Sequence, residues 1–120
     1  MAGSIEILPR TNLSSSYTQS THEAVDAGSS NFGAIEWFLD PAITDSTTVV
    51  LVIQQAAINE DGAFIDISAT SHTFSSSATV PVIFTFSSFA RYLRVKATVT
   101  LGSSTTGVNP RGVLVLKEGT

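Results

Sequence analysis

Two histidines, three acids around one turn and four aromatic side chains are the groups in this chain whose types could do chemistry. His22 and His72 sit in different polar segments, and neither has the fixed local spacing of a zinc or metalloprotease motif. Serine is abundant, but no nucleophile elbow presents one to a base, so no catalytic constellation converges and the chain reads as a non-enzyme. Glu60, Asp61 and Asp66 flank Gly62 and carry the oxygens a calcium ion wants. They lack the ordered spacing of a calcium loop and read as a solvated hairpin tip. Trp37, Phe38, Phe64 and Tyr92 would stack a sugar if they faced outward together; packed, they belong to a core or to a contact between subunits. No cofactor is implied.

The elements that must position these groups are strands. Phe89–Leu101 is the clearest, with Phe89, Leu93, Val95, Ala97, Val99 and Leu101 on one parity and Tyr92, Arg94, Lys96, Thr98 and Thr100 on the other. Arg91 breaks the alternation, and an arginine there lies at the rim with its guanidinium reaching water or a carboxylate. Gly33–Asp40 sets Ile35, Trp37 and Leu39 against Glu36 and Phe38, and Pro41 ends it. Thr47–Gln55 is rich enough in β-branched residues for a central strand. Asn59-Glu60-Asp61-Gly62 turns the chain into a strand over Ala63–Ser68, expected to pair as a hairpin with Ile65 and Ile67 inward and Phe64, Asp66 and Ser68 outward. With Ser4–Arg10, Tyr17–Val25, Thr79–Phe86 and Gly112–Lys117, these make about eight strands and no helical period. The fold class is all-β: a single antiparallel β-sandwich or jelly roll.

A chain of 120 residues is one domain and needs no staples to bury a core. It has no cysteine, so neither disulfides nor a thiolate metal site is possible, and folding in a cytoplasm is natural. The start, MAGSIEILPR, lacks the pattern of a signal peptide, and no apolar stretch approaches the roughly eighteen residues of a membrane helix. No membrane is expected as a partner. Charged residues are only 13% of the chain, against about 25% in typical soluble domains, and hydroxyls fill the gap. Such a surface is poorly defended against association, so the chain is expected to meet other chains.

Charge is also divided by sign. Residues 1–66 carry nine acids against Arg10, a net −8, and residues 67–120 carry five bases against Glu118, a net +4. That division either pairs strands within one molecule or gives opposite faces that join subunits. A net charge of −4 with scattered bases argues against nucleic acid as a partner. Residues 1–16 form an N-terminal arm or edge strand, and residues 17–120 the sandwich domain. Ile5, Ile7 and Leu8 before Pro9 add a strand either to this chain's own sheet or, the preferred reading, to a neighbour's.

The stretches GAIEWFLDPAI, TTVVLVIQQAAINEDGAFIDI and FTFSSFARYLRVKATVT, closing in GVLVLKEG, resemble the small β-sandwich virion proteins in the structural gene blocks of tailed bacteriophages. The resemblance is carried by Leu39-Asp40, Ile53-Gln54, Asp61-Gly62, Phe64–Ile67 and the Phe-x-Arg-Tyr-Leu-Arg-Val run at Phe89–Val95. The family pattern often has a tryptophan after the Asp-Gly turn, where this chain has Ala63-Phe64. The resemblance implies a non-catalytic head decoration or cement protein, otherwise a neck or tail component, made in the host cytoplasm and found in the virion. Its partners would be the major capsid or other virion proteins and copies of itself, a trimer or ring favoured. The candidate subunit contacts are then Ile5, Ile7, Leu8, Trp37, Phe38, Phe64, Tyr92, Arg94 and Lys96. Ala90–Arg94 alone also resembles a strand of discoidin-type sugar- and lipid-binding domains, which implies the alternative of a carbohydrate- or receptor-binding module on a tail or fibre.

Overall fold

The alternating stretches become strands that pass from one sheet to the other. In a computed structural model, which describes residues 3–118, the strands are β1 (Gly3–Leu8), β2 (Tyr17–Thr18), β3 (Val25–Asp26), β4 (Phe32–Asp40), β5 (Thr48–Ala56), β6 (Ile65–Phe74), β7 (Val82–Ser87), β8 (Tyr92–Thr100) and β9 (Asn109–Lys117). Met1 and Ala2 of the expected arm, and Gly119 and Thr120 of the expected sandwich, lie outside the described residues. One sheet has the order β1-β9-β4-β7, the other β2-β8-β5-β6 with β3 also against β8, and every pairing is antiparallel. The β2–β3 and β5–β6 connections stay within a sheet; every other connection crosses between the two. That is a jelly roll. Its second position is shared by β2 and β3, which pair with the two halves of β8, so eight positions are filled by nine strands.

The core lies between the sheets and is built from the inward parity: Ile35 and Trp37 from β4, Val49, Leu51 and Ile53 from β5, Leu93, Val95 and Ala97 from β8, and Leu114 from β9. Two glycines make room for the rings. Trp37 stands opposite Gly112 across the β4–β9 ladder and Phe86 opposite Gly33 across β4–β7. A Cβ on Gly112 would lie 2.6 Å from Trp37 Cζ3, and one on Gly33 2.6 Å from Phe86 Cζ. Each ring therefore lies where a side chain would otherwise stand.

The first segment adds an edge strand to this chain's own sheet. β1 pairs with β9, from Gly3 opposite Leu116 to Leu8 opposite Gly112, and Ile7 and Leu8 are buried in the core. The preferred reading as a strand donated to a neighbour is thus corrected: two apolar side chains at the end of β1 have a core of their own to enter. The strand expected over Tyr17–Val25 is split in two by a turn at Thr21–Glu23. Gln19 bridges the gap, its Nε2 donating to Ile7 O at 2.6 Å in one sheet and its Oε1 accepting from Val95 N at 2.8 Å in the other.

The strand after the Asp61–Ala63 turn also differs. It runs on to Phe74, and a register shift separates Ile53 opposite Ile67 from Leu51 opposite His72. Extra residues bulge out of β6 at that point. Thr70, fully buried, fills the bulge: its hydroxyl accepts from Ile53 N at 2.9 Å and donates to Ile67 O at 2.7 Å. Its carbonyl accepts from Trp37 Nε1 at 2.8 Å, tying β6 to the opposite sheet. Ile65, expected inward, is exposed, and Phe64, expected outward, is buried.

Candidate interaction surface

The nine candidate contact residues do not form one patch. Ile7, Leu8 and Trp37 are core, and Phe64 and Arg94 are covered on the outer side of β8, so these five cannot meet a neighbour while the chain is folded. Ile5 is exposed on β1. Phe38 is half-buried beneath Arg111, 5.2 Å from its ring centre, and Tyr92 beneath Arg91 at 5.3 Å, on opposite sheets. Half-buried Lys96 lies 3.7 Å from Asp66. No sugar platform is assembled from Trp37, Phe38, Phe64 and Tyr92.

Arg94 is the most heavily bonded of these groups. Its Nε donates to Gln54 Oε1 at 2.9 Å, and its Nη1 to Gln19 O at 3.0 Å and Asp61 Oδ1 at 2.8 Å. Its guanidinium carbon stands 4.1 Å from the centre of the Phe64 ring. A fork with five donors can hold two strands, a loop and a turn at once where an ammonium could not. The period of the strand gave the side on which Arg94 lies; the turn that covers it comes from another part of the chain.

Two of the three acids near Gly62 are taken up in the same way. Asp61 serves Arg94, and Asp66 accepts from Gln54 Nε2 at 3.0 Å and faces Lys96. Among the described residues no group of three or more metal-ligating side chains gathers. Of the five ion pairs among the described residues, four join a base from residues 67–120 to an acid from residues 1–66: Arg91–Asp26, Arg94–Asp61, Lys96–Asp66 and Arg111–Glu6. The sign division is used within the molecule. Arg91 lies at the rim as expected, with Asp26 accepting from both Nε and Nη2 at 2.9 Å; that fork holds the carboxyl below its usual range.

At one end of the sandwich Asp45 ties the loop before β5 to the loop after β8. It accepts from Thr47 N at 2.9 Å, Thr105 Oγ1 at 2.9 Å and Ser104 Oγ at 3.0 Å. Bonds from Thr47, then Thr105 and Ser104, hold its carboxyl far below the usual carboxylate range. The residues are polar and turned to one another.

Ile5, Ile58 and Ile65 are exposed singly, and a further apolar surface lies on β4, β7 and β9 and just before β7. Phe32, Val80 and Ile83 are exposed, and a depression of about 440 Å³ on the outer face is lined by Phe32, Gly33, Ala34, Thr85, Val115 and Lys117. Sequence reasoning missed this surface. Only its Val80, Ile83 and Thr85 carried a signal, lying in the run from Ile67 to Ala90 that contains no Asp, Glu, Lys or Arg; Phe32, Ala34 and Val115 lie outside that run.

The described residues thus form an all-β jelly roll in which Arg94, Asp61, Asp66 and Asp45 are bonded to other groups of the chain, while the buried Nε2 of His72 has no hydrogen-bond partner. No protein-family model matches the chain, and no curated protein matches it. Solved structures at TM-scores above 0.5 share its fold. The structure of the infectious bursal disease virus Gx strain aligns with a TM-score of 0.53 at 8% identity over 98% of this chain, and infectious bursal virus derived T=1 particles with 0.52 at 12% over 98%. The acidic stable capsid structure of Helicobacter pylori bacteriophage KHP30 aligns with 0.44 at 10% identity, over 99% of this chain and 95% of that one. The chain spans about a third of the length of the two bursal virus chains, 32% and 31%.

Proposed function

We propose that this chain is a non-catalytic structural protein of a virus particle, a decoration or cement protein on the head of a tailed bacteriophage. The observation that carries the reading is the apolar depression on the outer face, with Phe32 exposed and Ala34 and Val115 half-buried, on a jelly roll that brings no reactive groups together elsewhere among its described residues. Apolar patches of this kind mark contact sites on small soluble domains. The strand motifs shared with phage virion proteins and the low charge of the chain support it further. Cementing needs only burial of such a face across joints between capsid subunits, multiplied by the symmetry of the shell.

The test is to image particles that contain the chain, then to strip it and add it back. The expected result is density at regular sites on the head surface, and heads that lose heat resistance when stripped and regain it on addition. Ala34→Trp, which fills the depression, should abolish rebinding without changing the melting temperature of the free chain. Density confined to a fibre tip, with a purified chain that binds a defined glycan on an array, would replace this reading with the carbohydrate- or receptor-binding one.

A further inference from the structure

The two sheets have four edges, and natural proteins guard their edges with charge, proline, bulges or brevity. Three are guarded here. β1 carries Glu6, is followed by Pro9 and shifts register between Ile5 and Leu8. β2 and β3 are two residues each. β6 carries Asp66 and the Thr70 bulge. β7 alone is regular: six successive residues, Val82–Ser87, pair with Trp37–Phe32 of β4 without a shift, and β4 is its only neighbour in the sheet. Its sequence, VIFTFS, has no charged residue and no proline; Pro81 stands just before it.

All of β7, and β6 from Ile67 onward, belong to the uncharged run 67–90, and Ile83 is 62% exposed on that side. The first carboxylate met on moving inward from this edge is Glu36, opposite Ile83 on β4.

We propose that the β7 edge is where a second copy of this chain binds, by antiparallel pairing of β7 with β7. A strand edge needs a partner edge that is equally free, and within this chain β7 itself is the edge without a guard. An uncharged edge also gives an ionic partner nothing to hold. For two chains of net charge −4 it is the side on which they approach without setting like charges together. A two-fold axis normal to the sheet keeps outer residues opposite outer residues, so Ile83 meets Thr85 or Ser87, and the two four-stranded sheets become one of eight strands. The contact is self-complementary and closes on itself. It holds independently of the role proposed above, because it concerns the purified chain alone.

The test is sedimentation velocity of the full chain over a hundredfold concentration range, with hydrogen exchange read by peptide. The expected result is a shift from one chain mass to two, with amides of residues 82–87 exchanging at least tenfold more slowly in the heavier species. Ile83→Lys and Thr85→Lys, both at exposed positions, should each hold the chain at one mass while leaving its melting temperature within about 2 °C, as surface substitutions do. Ser4→Lys on the β1 edge should leave the heavier species intact. A chain that stays at one mass throughout overturns the proposal. So does a trimer, or any assembly whose mass survives both lysine variants.

Discussion

Arg94 decides the most at the scale of single residues. Replacing it with Lys keeps the charge but loses the fork that reaches Gln54, Gln19 and Asp61 together, and the expected loss is about 1–3 kcal/mol. Asp61→Asn should cost under about 1 kcal/mol, because that carboxylate is exposed and its pairing is screened by water. Urea titration of the two variants beside the parent chain checks the order; an Asp61 variant weaker than the Arg94 variant would contradict it. Gly112→Ala puts a Cβ into the Trp37 ring and is expected to lose about 1–3 kcal/mol, although alanine suits a strand as well as glycine does. A melting curve reads this directly.

Elements show what sequence could and could not tell. β4, β5, β8 and β9 were legible because each keeps one parity in the core along its length, and Leu93, Val95 and Ala97 are buried as their alternation requires. β6 was not, because the bulge at Thr70 changes which parity faces inward, and a count of two cannot survive inserted residues. The interaction surface was still less legible: parity assigns a side chain to a face of its strand, and only the order of strands says whether that face is covered. Beyond the bulge the inward parity takes His72, whose ring meets Phe74 edge-on at 4.6 Å and lies 6.0 Å from Phe84. Burial pushes its pKa below the usual 6.5. The folded chain then binds fewer protons than the unfolded one as pH drops from about 6.5, so this contribution is full above that value and is lost on acidification. The melting temperature is expected to fall between pH 7.5 and 5.5, and His72→Phe should flatten that step. Asp26 and Asp45, whose pKa values are lowered, lose their contributions only below about pH 4, so the windows are separate. Asp45→Ala should speed hydrogen exchange at Gly102 and Ser104, the amides nearest its loop contacts, and leave β8 protected.

On the scale of the whole molecule, the N-terminal strand is part of the sandwich and not an attachment to it. A chain beginning at Leu13 loses β1, the buried Ile7 and Leu8, and one of the two partners of β9. Two such side chains are worth about 3–6 kcal/mol, a large share of the 5–15 kcal/mol that holds a domain together. The truncated chain is therefore expected to melt more than about 10 °C lower, or not to fold, and retention of the parent melting temperature would show that β1 is dispensable. Trp37 brings one further consequence. It is the single tryptophan of the chain, fully buried on one sheet and hydrogen-bonded to Thr70 of the other. Its fluorescence therefore comes from the joint between the sheets, with no second indole to dilute it. Blue emission marks the sheets together and red emission marks them parted, so a cuvette and a lamp suffice to watch the sandwich open.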